Sequence, residues 1–243
     1  HQELFGHPGE DFPVIISLVG PEDDLSIQVH PDDEHAQKIG YKRGKNEAWF
    51  FIESDPGASI VYGQKTKNKE ELQEMINQDK WDDIYKKYPV ADGNFVYLPA
   101  GCLHAMGKGN VVYEIQQSTD VTYRFYDYHR KDKDGNEREL HLKQAIDCLS
   151  FDKDIDKNDV HPVVKVHENV KETIFISNDS FTVSQLLVIG KCQYKCDNYQ
   201  LATVVKGSGK VDEYDVKVGD NFLIPTNTSI ELDGQMMIMM TTK

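Results

Sequence analysis

The chain has 243 residues, 39% hydrophobic and 28% charged, enough for one large domain or two small ones without covalent staples. Its net charge of −14 argues against nucleic acid, which demands clustered Lys and Arg, and against an anionic membrane surface. A small anionic substrate stays open, since one or two local cations suffice; four cysteines without a CxxC pair read as reduced cytoplasmic thiols, and no long apolar run reads as a membrane span.

In chain order, Val14–Val19 is the first strand-like run, closed by Gly20-Pro21. Leu25-Ser-Ile-Gln28-Val-His30-Pro31 follows; alternation turns Gln28 and His30 to one face, and Pro31 suits a strand end. Gly44-Lys45-Asn46-Glu47-Ala48-Trp49 leads into the strand Ala48–Ile52, with Lys45 and Glu47 sharing a face. Residues 67–88 break the pattern. Leu72, Met75 and Ile76, then Trp81, Ile84 and Tyr85, fall at helical spacing and predict one or two surface helices.

After Asp92-Gly93 comes the strand Phe95–Leu98, then Pro99-Ala-Gly101-Cys-Leu-His104, and then the strand Val111–Ile115. In Val121–Tyr126, alternation puts Asp120, Thr122, Arg124 and Tyr126 opposite the apolar Val121, Tyr123 and Phe125. Leu140–Ser150 reads as a helix, and the acidic run Asp152–Asp159 as a solvated linker. Short strands resume at Val163. Lys206-Gly-Ser-Gly-Lys210 reads as a β-turn rather than a phosphate loop. A weak repeat equates Gly93…Pro99…Gly101…His104 with Gly219…Pro225…Asn227…Ile230, so the second copy has lost its histidine. The expected architecture is all-β, two related barrels with a few inserted surface helices: residues 1–151 with the insert near 67–88, and residues 163–243 without a metal site.

Two imidazoles, a carboxylate and an amide oxygen, from His30, His104, Glu47 and Gln28, make a set suited to a divalent metal. The other histidines, His1, His7, His35, His129, His141, His161 and His167, read as structural or exposed. Gly93-x5-Pro99-x-Gly101-x2-His104 resembles the second motif of the cupin superfamily, and Gln28 through Glu47 resembles the first, with Gln in place of the leading His. That substitution, with Ser26–Asp33, Leu98–Ala105 and Glu114–Asp127, resembles type I mannose-6-phosphate isomerases of the short bacterial form, over nearly the whole chain and more vaguely after Ser150. That form carries several dozen further residues before the point matching His1, which supply strands of the first barrel.

The resemblance implies two cupin jelly rolls, one Zn2+ per chain held by Gln28, His30, Glu47 and His104, and interconversion of mannose 6-phosphate and fructose 6-phosphate. It implies Arg124 as the catalytic arginine, Lys45 as candidate base, and Asp120 as an acid–base participant or the group that orients Arg124. The partner implied is a small sugar phosphate, acting on a cytoplasmic monomer or homodimer with no nucleic acid or membrane. Two other cupin readings stay open: an iron dioxygenase and a non-catalytic sugar-binding protein.

Overall fold

The computed structural model describes residues 2–5, 12–152, 155–156 and 158–243. His1, His7 and part of the Asp152–Asp159 run lie outside the described residues. The chain divides into two compact units, one spanning Ile15–Asp159, the other built on Val160–Lys243 together with the N-terminal stretch through Val14.

The short helix α1 (Gln2–Phe5) opens the chain. In the first unit, one sheet joins β1 (Val14–Val19), β3 (Glu47–Ser54), β6 (Phe95–Leu98) and β8 (Asn110–Gln117) in the order β1-β8-β3-β6. The other joins β2 (Ile27–Val29), β4 (Ser59–Gln64), β5 (Tyr85–Pro89), β7 (His104–Ala105) and β9 (Tyr123–Tyr126) in the order β5-β4-β7-β2-β9. Every pairing given for these strands is antiparallel. Trp49, Phe51, Val96, Leu98 and Val112 of the first sheet meet Ile60 and Tyr62 of the second, with Cys102 and Met106, in one buried core. This is the jelly-roll arrangement of facing antiparallel sheets.

The opposite face of the second sheet carries Ile27, Val29, Val61, Leu103, Ala105 and Phe125. It is covered by Leu72 of α3 (Lys69–Asn77), by Trp81 and Ile84, and by Ala145 of α4 (Leu142–Cys148) with Leu149. Asn68 caps α3 by accepting from the Glu71 N–H, and the Glu71 carboxylate reaches back past the cap to accept from the Lys67 N–H. The helical insert ends at Asn77. A single 3-10 turn at Trp81–Asp83 follows, and Tyr85–Pro89 is strand, paired with β4. The helix α2 (Asp33–Lys38), capped by Asp32, was not apparent in the sequence pattern.

The acidic run is no free linker. Asp156 pairs with Lys86, and Asn158 brackets β6, accepting from the Tyr97 N–H and donating to the Phe95 carbonyl.

The second unit is one antiparallel sheet with strand path β10-β11-β12-β17-β14-β15: β10 (Val163–His167), β11 (Val170–Ser177), β12 (Thr182–Ile189), β14 (Gln200–Val211), β15 (Tyr214–Lys217) and β17 (Thr228–Thr242). Two further strands, β13 (Cys192–Cys196) and β16 (Asn221–Ile224), pair with β17 and β14. Val204, Ile224, Ile230, Leu232, Ile238 and Met240 lie in its core. Lys206–Lys210 lies inside β14 and is strand rather than turn.

Candidate metal centre

The site is set by strand register. Gln28 of β2 is the partner of His104 on β7 and of Arg124 on β9, so adjacent strands present the three residues in one row. Across the barrel, Glu47 of β3 is the partner of Leu98 and of Gln116. The next position on the same face pairs Trp49 with Glu114.

Two glycines let the ligand-bearing segments close up. At Gly44 a Cβ would lie 2.5 Å from the Pro31 carbonyl oxygen, so only glycine allows the Lys45 N–H to reach that oxygen at 3.0 Å, just past His30. Gly101 has φ +84°, and its N–H donates to the His30 carbonyl at 2.8 Å.

His30, Glu47 and His104 come together as a buried triad whose ligand atoms all lie within 4.8 Å of one another. His30 Nε2 is 3.5 Å from Glu47 Oε1, and His104 Nε2 is 3.2 Å from Glu47 Oε2. The amide end of Gln28 is 3.4 Å from His104 Nε2, and a half-turn of that amide exchanges its nitrogen for its oxygen. The far nitrogens are fixed by backbone: His30 Nδ1 lies 3.0 Å from the Val121 carbonyl and His104 Nδ1 2.9 Å from the Cys102 carbonyl. A carbonyl can only accept, so each Nδ1 carries its proton and each Nε2 turns a lone pair into the site. His30 Nε2 and both Glu47 carboxylate oxygens are buried with no hydrogen-bond partner, which would be costly in a finished core. Orphaned donors of this chemistry, held by this kind of outer support, fit a divalent metal.

Electrostatics agree with that fit. Burial pushes the His30 imidazole down to about 4, against the opposing pull of Glu47, so it is neutral at pH 7 as a ligand must be. Burial alone would raise the Glu47 carboxyl, but the two imidazoles and the Lys45 ammonium outweigh it and hold that carboxyl well below the usual range. Lys45 Nζ stands 2.9 Å from Glu47 Oε1, close enough to pair in charge though off the hydrogen-bond direction.

Arg124 lies beside this cluster. Its Nη1 donates to the Glu139 carbonyl at 2.8 Å, and its Nε is buried without a partner. The residue's backbone N–H donates to His141 Nδ1 at 3.1 Å, so His141 is structural. Asp120 is exposed, makes no hydrogen bond or ion pair among the described residues, and sits before β9 begins; Glu139, not Asp120, holds the arginine.

Glu114 was missed by sequence reasoning. It accepts from Trp49 Nε1 at 2.9 Å, and burial together with the charge of Glu47 raises its carboxyl to about 6. The alternation of Glu114 and Gln116 through an apolar strand was the available signal.

Register also explains the faded repeat. Gln200 is the partner of Ile224 as Glu47 is of Leu98, and Tyr194 is the partner of Ile230 as Gln28 is of His104. The second unit therefore carries Tyr194, Cys196, Gln200 and Ile230 where the first carries Gln28, His30, Glu47 and His104.

Residues 171–243 match the family model described as mannose-6-phosphate isomerase, cupin domain. A mannose-6-phosphate isomerase of Streptococcus mutans is 37% identical over 98% of this chain and 77% of its own length. Mannose-6-phosphate isomerase ManA of Bacillus subtilis is 37% identical over 93% of this chain and 73% of its own. The crystal structure of a Bacillus subtilis mannose 6-phosphate isomerase superposes with a TM-score of 0.93 at 31% identity, covering 100% of this chain and 79% of that one. A mutant phosphomannose isomerase from Salmonella typhimurium, 14% identical with a TM-score of 0.77, shares the fold.

Proposed function

This chain belongs to the mannose-6-phosphate isomerase family and is an intramolecular oxidoreductase, and we propose that it interconverts mannose 6-phosphate and fructose 6-phosphate with one zinc ion at the His30–Glu47–His104 cluster. The observation that carries this reading is a buried set of unpartnered ligand atoms flanked by two cations, Lys45 and Arg124. Gln28 completes the ligand set through its amide oxygen.

Zinc there would supply a Lewis acid for the oxygens of the sugar. The chain's own groups do the rest. A proton leaves C2 and returns to C1 as the aldose and ketose exchange through an enediol. Lys45 Nζ, which serves as base only after shedding its own proton to become a neutral amine, is the group that carries it, beside Glu47 and within the buried site. Arg124, permanently charged and with a free Nε, holds the anionic oxygen that develops, or the phosphate of the substrate. Asp120, on the exposed rim, has the place to meet a sugar hydroxyl as substrate enters. The cytoplasm is the proposed compartment, supported by four free thiols. No helix among the described residues is long and apolar enough to cross a membrane.

The test is a coupled assay for fructose 6-phosphate, run before and after chelation and with zinc restored. Activity is expected to vanish on chelation and to return with zinc, and His104→Ala is expected to lower kcat/KM by at least about 100-fold. Unchanged turnover in that variant would sink the metal mechanism. Oxygen uptake with bound iron would instead favour the dioxygenase reading, and sugar binding without turnover the non-catalytic one.

A further inference from the structure

Asn46 lies between Lys45 and Glu47, and its side chain turns away from the site. Its bonds join three separate segments. Asn46 Nδ2 donates to Gln117 Oε1 at 2.9 Å, and the same oxygen accepts the Asn46 backbone N–H at 2.9 Å. The Gln117 N–H returns the bond to the Asn46 carbonyl at 3.0 Å. On its other side, Asn46 Oδ1 accepts the Ala100 N–H at 2.8 Å. Gln117 is buried and Asn46 half-buried, so water competes poorly for these bonds.

Each end of this network leads to a metal-facing imidazole. Ala100 opens the turn in which the Cys102 carbonyl orients His104. Gln117 ends β8, and the segment after it delivers the Val121 carbonyl that orients His30. Asn46 itself fixes the peptide that precedes Glu47. Only a side chain with one acceptor and one donor on a short stem can serve both neighbours at once.

We propose that Asn46, acting through Gln117 and Ala100, is a positioning residue that sets the mutual register of Glu47, His30 and His104, and with it the place of Lys45. It touches none of the reacting atoms. The proposal rests on the metal-site reading above and adds a single hub on which the geometry of that site depends. Groups that support metal ligands from behind are worth about 10–100-fold in metal affinity or activity. A displacement of about 1 Å at the chemistry costs a comparable factor in turnover.

The experiment uses the whole chain and zinc itself as the probe. Zinc affinity is measured by competition with a chromophoric chelator, alongside kcat, KM for mannose 6-phosphate and Tm. Asn46→Ala and Gln117→Met are each expected to weaken zinc binding about 10–100-fold and to lower kcat by a similar factor, with KM within about threefold. The double variant is expected to lose less than the sum of the two single losses, because the Asn46 Nδ2–Gln117 Oε1 bond is common to both. If Asn46→Ala does not fold, Asn46→Asp keeps the acceptor for Ala100, loses the donor to Gln117, and reads the same quantities.

A drop in Tm with zinc affinity and kcat unchanged would mark Asn46 as merely structural and overturn the proposal. Additive losses in the double variant would also overturn it. Wild-type protein that holds zinc without isomerising the sugar would end the functional reading, while zinc affinity would still decide the role of Asn46. Wild-type protein that binds no zinc would end both.

Discussion

Arg124 depends on a residue that never approaches the site. Asp127, three positions on, is buried and receives bonds from Arg138 Nε at 2.7 Å and from the Arg130 guanidinium. Those bonds pin the start of an excursion whose return brings Glu139 and His141 against Arg124. Burial alone would raise the Asp127 carboxyl, but the bonds from Arg138 and Arg130 outweigh it and lower it. A carboxyl depressed in the folded state stabilises above its unfolded value, near pH 4, and that stability is lost as pH falls through the folded value. Asp127→Asn is therefore expected to cost about 1–2 kcal/mol at pH 7, a figure discounted for the half-exposed arginines. That corresponds to a fall of roughly 2–8 °C in Tm, shrinking below pH 4. Thermal melts across pH check it, and a pH-independent difference would refute the ionic account. The four proposed ligands were legible in the sequence because short spacings and alternation fix them locally. Glu114 was not, since its place beside Trp49 follows from the register of β8 on β3. Glu139 could not be, because its backbone carbonyl does the holding and any residue type supplies one.

Elements show the same division between local and distant causes. The strands Val14–Val19 and Phe95–Leu98 follow the sequence pattern to the residue, because turn signals bound them. The stretch around Trp81 misled, because Trp81, Ile84 and Tyr85 all bury against the outer face of the second sheet. One 3-10 turn followed by a strand satisfies that spacing as well as a helix does, and only pairing with β4 decides. The repeat is deeper in backbone than in side chains: Gly93 and Gly219 both have positive φ, as do Gly101 at 84° and its counterpart Asn227 at 55°. Asparagine tolerates that region and alanine does not. At Gly101 a Cβ would also lie 3.1 Å from the Cys148 carbonyl oxygen and 3.2 Å from Ser150 Cβ. Gly101→Ala is thus expected to cost about 1–3 kcal/mol and to weaken zinc binding, since the same peptide grips the His30 carbonyl. Asn227→Gly, in the second unit, is expected to cost less than about 0.5 kcal/mol. Denaturant melts of the pair decide it, and equal costs would refute the argument from φ.

For the whole molecule, the division of labour between the units is the quantity to test. Every candidate ligand lies within Ile15–Asp159, while Val160–Lys243 buries an independent core around Ile230, Ile238 and Met240. The weak repeat in the sequence already set Ile230 against His104; strand register pairs the two positions alike, and the fold buries Ile230 in an apolar core. A metal that binds only the folded state adds stability to the unit that holds it, by RT ln(1 + [L]/Kd). Its removal leaves the Glu47 carboxylate buried, with the Lys45 ammonium 2.9 Å away to offset its charge. Hydrogen exchange should register this segment by segment. On chelation, amides of β2, β3 and β7 are expected to exchange faster, by up to the factor 1 + [L]/Kd set by the free zinc before chelation, while those of β12, β14 and β17 keep their rates. His104→Ala should reproduce that pattern without chelator. Faster exchange spread evenly into β17 would mean that the ion stabilises the chain as one cooperative body, and the assignment of the metal's effect to a single barrel would fall.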